Sequence, residues 1–203
     1  MATVVRRLPD LPGDRFTEDE PVIALTFDDG PGSLTAAFAE ELRRLDAPAS
    51  FFVVGELAAA HPDTVAALAA DGHTIGSHSW SHARIEHIGE TDMVDECVRA
   101  TTRIERITGR PVSLVRVPYR KVPPPRISEL LEIRGLLSVG WSVDPCDWDA
   151  GDADTIAHRV LSALHPGAIV LLHDGGPDRS ATLAALPAIV AGARAAGYRL
   201  VAL

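Results

Sequence analysis

Along the whole chain a short β-branched or apolar run is followed by a loop and then by a longer stretch of helical periodicity. This alternation constrains the fold more than any other feature. A strand–helix repeat can bury both of its apolar surfaces only around a parallel sheet, so the fold class is α/β. The strand candidates are residues 22–27, 50–54, 73–75, 114–116, 137–143, 168–172 and 199–202. Helix candidates fall between them at 34–45, 61–70, 90–108, 126–133, 153–164 and 180–196. Ser33 precedes the first, Pro62 opens the second, and Gly109 and Gly197 follow the third and the last, where each residue costs least. Right-handed crossovers between such strands give a distorted (β/α) barrel or barrel-like sheet, with an open doubly wound sheet as the competing architecture.

The length, 203 residues with 46% hydrophobic and 23% charged, suits one domain with a full core. Residues 1–20, rich in proline and charge, read as an N-terminal arm outside that core, and residues 21–203 as the domain itself. A net charge of −9 argues against nucleic acid as the partner, since phosphate binding rests on clustered Lys and Arg. No stretch approaches the roughly 20 apolar residues of a spanning helix, so no membrane role is expected. The first residues lack the apolar core of an export signal, which leaves an intracellular protein or a trimmed part of an exported one. Cys97 and Cys146 have no spacing that implies a pair and read as free thiols.

Reactive residues recur at the carboxyl ends of the strand candidates. Asp28 and Asp29 follow the first, His78 and His82 the third, Arg116 ends the fourth, Asp144 and Asp147 follow the fifth, and His173 the sixth. In a parallel barrel those ends share one face, the one on which such barrels build active sites. His78 and His82, four apart, suit two ligands on one ion, and Asp29 is the best third ligand. Asp28 and Asp29 next to an apolar strand repel each other unless something positive sits beside them, and a metal with Arg116 would supply that. One carboxylate would then bind the ion while the other accepts a proton from water.

The stretches Thr26-Phe27-Asp28-Asp29-Gly30, His78-Ser79-Trp80-Ser81-His82, Arg116-Val117-Pro118-Tyr119, Asp144-Pro145-Cys146-Asp147-Trp148 and Ile169-Val170-Leu171-Leu172-His173 resemble, in order and spacing, the motifs of the polysaccharide deacetylases. These are the NodB homology domain proteins of carbohydrate esterase family four type. The resemblance covers residues 21 to the end. It implies a distorted barrel holding zinc, or another divalent transition metal, on Asp29, His78 and His82. It further implies Asp28 as general base, His173 as general acid, Arg116 holding the base, Asp147 orienting the acid, Tyr119 offering its backbone N–H to the oxyanion, and Trp148 and Leu171 lining the acetyl-methyl site. The substrate implied is an acetylated carbohydrate of chitin-oligomer or peptidoglycan type. Oligomeric state is not implied.

Two alternatives stay open. One is O-deacetylation of xylan-like or small esters. The other is a catalytically idle carbohydrate-binding domain on the same fold. The chain also departs from the pattern, with Arg120 and Lys121 where glycine usually follows the motif tyrosine. These cations are expected to favour a negatively charged substrate, or else to point into water.

Overall fold

Strand β2 (Val22–Asp28) is wholly buried, and its alternation separates two cores. In the computed structural model, which describes residues 4–13 and 15–203, Ile23, Leu25 and Phe27 point outward into a layer shared with the helices. Val22 and Ala24 point the other way and join Phe52, Leu114, Val139 and Ile169 in a second cluster inside the curled sheet. Around β2 lie β3 (Ser50–Val53), β4 (Thr74–Ser77), β5 (Leu114–Val115), β6 (Leu137–Val139), β7 (Ala168–His173) and β8 (Arg199–Leu200), preceded in the chain by β1 (Val4–Val5). The order is β1-β6-β5-β4-β3-β2-β7, with β8 also on β2, and every ladder between these strands is parallel. The helices are α1 (Thr35–Arg44), α2 (Gly55–Ala60), α3 (Pro62–Ala70), α4 (Ile85–Ile88), α5 (Glu90–Thr108), α6 (Pro125–Ile133), α7 (Ala153–Ala163) and α8 (Ser180–Ala195).

The sheet curls into a distorted barrel rather than lying open, because the chain beyond β6 crosses to β7. Val143 bridges Val170, Ser142 N–H donates to the Ile169 carbonyl, and Leu171 N–H donates to that of Val143. The expected strand 137–143 is therefore two pieces. The break falls at Gly140, where a Cβ would overlap the Lys121 carbonyl, so only glycine lets the chain pass.

A second correction concerns the N-terminal arm. Apart from residues 1–3 and 14, which lie outside the described residues, it is not external to the core. β1 pairs with β6, Leu8 N–H donates to the Gly167 carbonyl at 2.8 Å, and Val5 and Leu8 are fully buried. The apolar residues of this segment close the end of the barrel opposite the reactive loops, which offsets the entropy of ordering it. Cys97 and Cys146 are free thiols, and no helix among the described residues is long and apolar enough to cross a membrane.

Candidate active site

Strand parity positions most of the site. On β2 the inward set is Val22, Ala24, Thr26 and Asp28; on β7 it is Ile169, Leu171 and His173. The β2–β7 register sets Asp28 directly beside His173, and the residue after β4, His78, continues the inward face begun by Gly76. Gly76 packs on Phe52, where a Cβ would come within 2.6 Å of its ring, so the small residue lets the strands approach below the site.

Arg116, one residue past β5, fills the top of the barrel and is fully buried. Its Nη1 donates to Asp28 Oδ1 at 2.7 Å and Thr26 Oγ1 at 2.8 Å, its Nη2 to the Gly140 carbonyl at 2.9 Å, and its Nε to the Val139 carbonyl at 3.3 Å. The guanidinium also lies over the Phe52 ring, 4.2 Å from its centroid. Burial pulls its pKa down, and the charge and hydrogen bond of Asp28 oppose this without reversing it. Asp28 Oδ2 is left on the other side, 3.7 Å from His78 Nε2.

Asp29 escapes strand parity because its φ is +72°, a left-handed turn that swings its carboxylate back over the barrel mouth. Its Oδ1 lies 3.4 Å from His78 Nε2 and 3.0 Å from His82 Nε2. The three ligand atoms lie within 4.8 Å of one another. The four-residue spacing of the histidines is not spanned by a helical turn. His82 instead reaches the group through a left-handed backbone, φ +57°, with its N–H donating to Ser79 Oγ at 3.0 Å. His78 Nδ1 lies 2.7 Å from the Arg116 carbonyl and must donate to it, which leaves the Nε2 lone pair facing Asp29. His82 Nδ1 lies 3.1 Å from the Tyr119 hydroxyl, which fixes that ring likewise.

Burial would lift the Asp29 carboxyl, but hydrogen bonds and charge from the two imidazoles outweigh it and hold the pKa far below the ordinary range. For His78, burial pushes down and the charges of Asp28 and Asp29 prevail, raising it. The carboxylates that draw a proton to His78 would equally draw a cation to the same point. One carboxylate and two imidazoles are the donor set of a zinc-type ion, so the residues fit such a metal.

Across the mouth, His173 Nδ1 lies 2.7 Å from Asp147 Oδ1, while its backbone N–H and Thr182 Oγ1 each donate to Asp147 Oδ2 at 2.9 Å. Burial lowers the His173 pKa, but the Asp147 hydrogen bond and charge outweigh it and raise the pKa overall. Asp28, Asp29, His78, His82, Tyr119, Trp148, Leu171 and His173 all line one open cavity of about 660 Å³. Arg116 and Asp147 stand behind Asp28 and His173 as described.

Residues 16–132, more than half of the chain, match the polysaccharide deacetylase family pattern. The chain belongs to that family. It is 35% identical to a chitooligosaccharide deacetylase of Azorhizobium caulinodans over 92% of this chain and 94% of that protein. It is 32% identical to a Bacillus cereus peptidoglycan-N-acetylglucosamine deacetylase over 89% of this chain and 66% of that one. The crystal structure of the peptidoglycan N-acetylglucosamine deacetylase Bc1960 superimposes with a TM-score of 0.90 at 27% identity, covering 100% of this chain and 91% of that one.

In this polysaccharide deacetylase family member, several site residues carry no signal in the sequence pattern. Asp174 is buried beneath Asp28 and Asp29, accepts from Thr35 Oγ1, and is pushed up to about 7 chiefly by burial. Its only cue is that it follows His173. Trp141, Arg84 and Arg179 also line the cavity. Arg120 does not; it ion-pairs with Glu86 outside the cavity. The left-handed residue of that loop is Tyr119, φ +62°, rather than Arg120.

Proposed function

We propose that this chain is a divalent-metal-dependent hydrolase that removes N-acetyl groups from a glycan of chitin-oligomer or peptidoglycan type. Residues 21–203 are its catalytic domain, and the preceding segment is part of the barrel wall. The observation that carries the reading is the shared approach of His78 Nε2 and His82 Nε2 to Asp29 Oδ1, beside a second carboxylate, Asp28, already neutralised by Arg116. The names of the relatives support the substrate class.

Asp29, His78 and His82 would hold the ion, zinc by preference for this donor set. When bound, it supplies Lewis-acid polarisation of the carbonyl and makes water more acidic. Asp28 receives the proton of the attacking water on the carboxylate that Arg116 holds in place. The departing amine nitrogen cannot leave as an anion. His173, kept protonated and aimed by Asp147, gives it a proton, a contribution of about 10²–10⁴-fold. The Tyr119 N–H offers a donor to the oxyanion, and Trp148 with Leu171 shelters the acetyl methyl.

The test is acetate release from N-acetylated and O-acetylated oligosaccharides, with metal content measured in parallel. Activity should vanish with a chelator and return with zinc. His82→Ala should bind zinc more weakly than the roughly 10–100-fold loss typical of a missing outer partner, whereas Asp28→Asn should keep metal and lose turnover. Full activity in chelator, or preferential release from the esters, would overturn the proposal.

A further inference from the structure

Arg179, the residue before α8, is only 6% exposed, and its Nε donates to the Gly175 carbonyl at 3.0 Å. Among the described residues its side chain makes no other hydrogen bond and no ion pair, and the residue lines the active-site cavity. No neighbouring carboxylate among the described residues lies within ion-pair distance of Arg179, and each has another partner. Asp28 is held by Arg116 and Asp29 by the two histidines. Asp147 takes His173 and Thr182, Asp144 accepts the Cys146 N–H, and Asp178 spends both oxygens on Ser180. The other cavity-lining cation, Arg84, is exposed and stacks on Tyr119, 3.9 Å from the ring centroid.

A guanidinium stripped of most of its water and given one carbonyl is costly unless an acceptor arrives from outside the chain. We propose that Arg179 is a substrate-binding residue that holds a carboxylate on the acetylated sugar. This rests on the deacetylase reading above and names its substrate class further. The planar fork of Arg179 matches the two oxygens of a carboxylate. Gly176, φ +84°, leaves space beside Nη2, since a methyl there would lie 3.3 Å from it and 3.7 Å from Asp29 Oδ2. The selectivity for a negative substituent expected at Arg120 therefore moves to the opposite loop.

Titration calorimetry on the full chain compares two acetylated disaccharides, one carrying the lactyl carboxylate of N-acetylmuramic acid and one the neutral N,N′-diacetylchitobiose. The wild type should bind the carboxylate-bearing sugar about 10-fold more tightly or better, the size of a charged hydrogen-bonded contact. Arg179→Gln should erase that preference and Arg179→Lys should keep part of it, with thermal melts reporting on folding. If the Gln variant fails to fold, the Lys variant decides by its reduced preference. Equal wild-type affinity for both sugars, an equal loss on both in the variants, or a loss of bound metal instead would overturn the assignment. Acetate release from the same two sugars is scored separately. Selective binding without release would count against the proposed reaction and leave the carboxylate subsite standing.

Discussion

Replacing Arg116 by methionine removes the cation that is ion-paired with Asp28 and leaves that carboxylate buried without its partner. The lost contacts are Asp28 Oδ1, Thr26 Oγ1 and the Val139 and Gly140 carbonyls. Thr26 still has the Val170 carbonyl as acceptor, 2.7 Å away, so the largest part of the cost is the unpaired carboxylate. Breaking one side of such a pair costs about 3–5 kcal/mol. For a domain of this length, about 2–4 °C per kcal/mol translates this into a melting point lowered by roughly 6–20 °C. Urea denaturation in the presence of a chelator, followed by circular dichroism, measures it free of any metal contribution. The double variant Arg116→Met/Asp28→Leu removes both charges and should recover at least about half of the loss, because apolar replacements of a buried ion pair are often neutral. A single-variant loss below about 1 kcal/mol, or a double variant less stable than the single, would refute the view that Arg116 is the buried counter-charge of Asp28.

Asp147→Asn should lower turnover by about 10²–10⁴-fold and move the alkaline fall of the pH–rate profile to lower pH, since Asp147 is what raises the His173 pKa. The same raised pKa means that His173 contributes stability fully below its ordinary 6.5, which is lost as pH climbs through its folded value. Melting curves across that window should flatten in the variant; an unchanged alkaline limb would sink the assignment. Gly175→Ala should destabilise by about 1–3 kcal/mol in urea titrations, because its methyl overlaps the Asp29 carbonyl and reaches 2.7 Å from the Gly30 nitrogen. It should also weaken zinc binding measured against a competing chelator dye, and unaltered affinity would show that the loop shifts freely.

Long and strongly patterned elements were legible in the sequence. The helix 90–108 ends where expected, because its apolar stripe is amphipathic and Gly109 closes it with φ +66°. β2, β3 and β7 were found to within a residue, since each is a continuous apolar run buried on both faces. β1 spans two residues and has no periodicity to detect; only pairing with β6 makes it a strand. α2 and α4 are one-turn or little longer helices whose formation depends on packing beside the loop that carries His78 and His82 rather than on propensity.

The site followed the same division. Residues at strand ends could be read from position, whereas Arg179, Trp141 and Asp174 meet the cavity or its floor only through loop paths that no local spacing encodes. Arg120 looked like a groove cation because Glu86, its partner, is remote in the sequence.

Among the described residues, every side chain carried on a positive φ except Asp46 sits in the loops around the cavity: Asp29, Ser79, His82, Tyr119 and Cys146. A left-handed backbone costs a residue with a Cβ roughly 1–2 kcal/mol that glycine escapes. Heat tolerance and turnover therefore pull in opposite directions at these positions. A library sorted for thermal robustness alone would drift toward glycine at 29, 82 and 119, growing sturdier while shedding its carboxylate, imidazole and phenol.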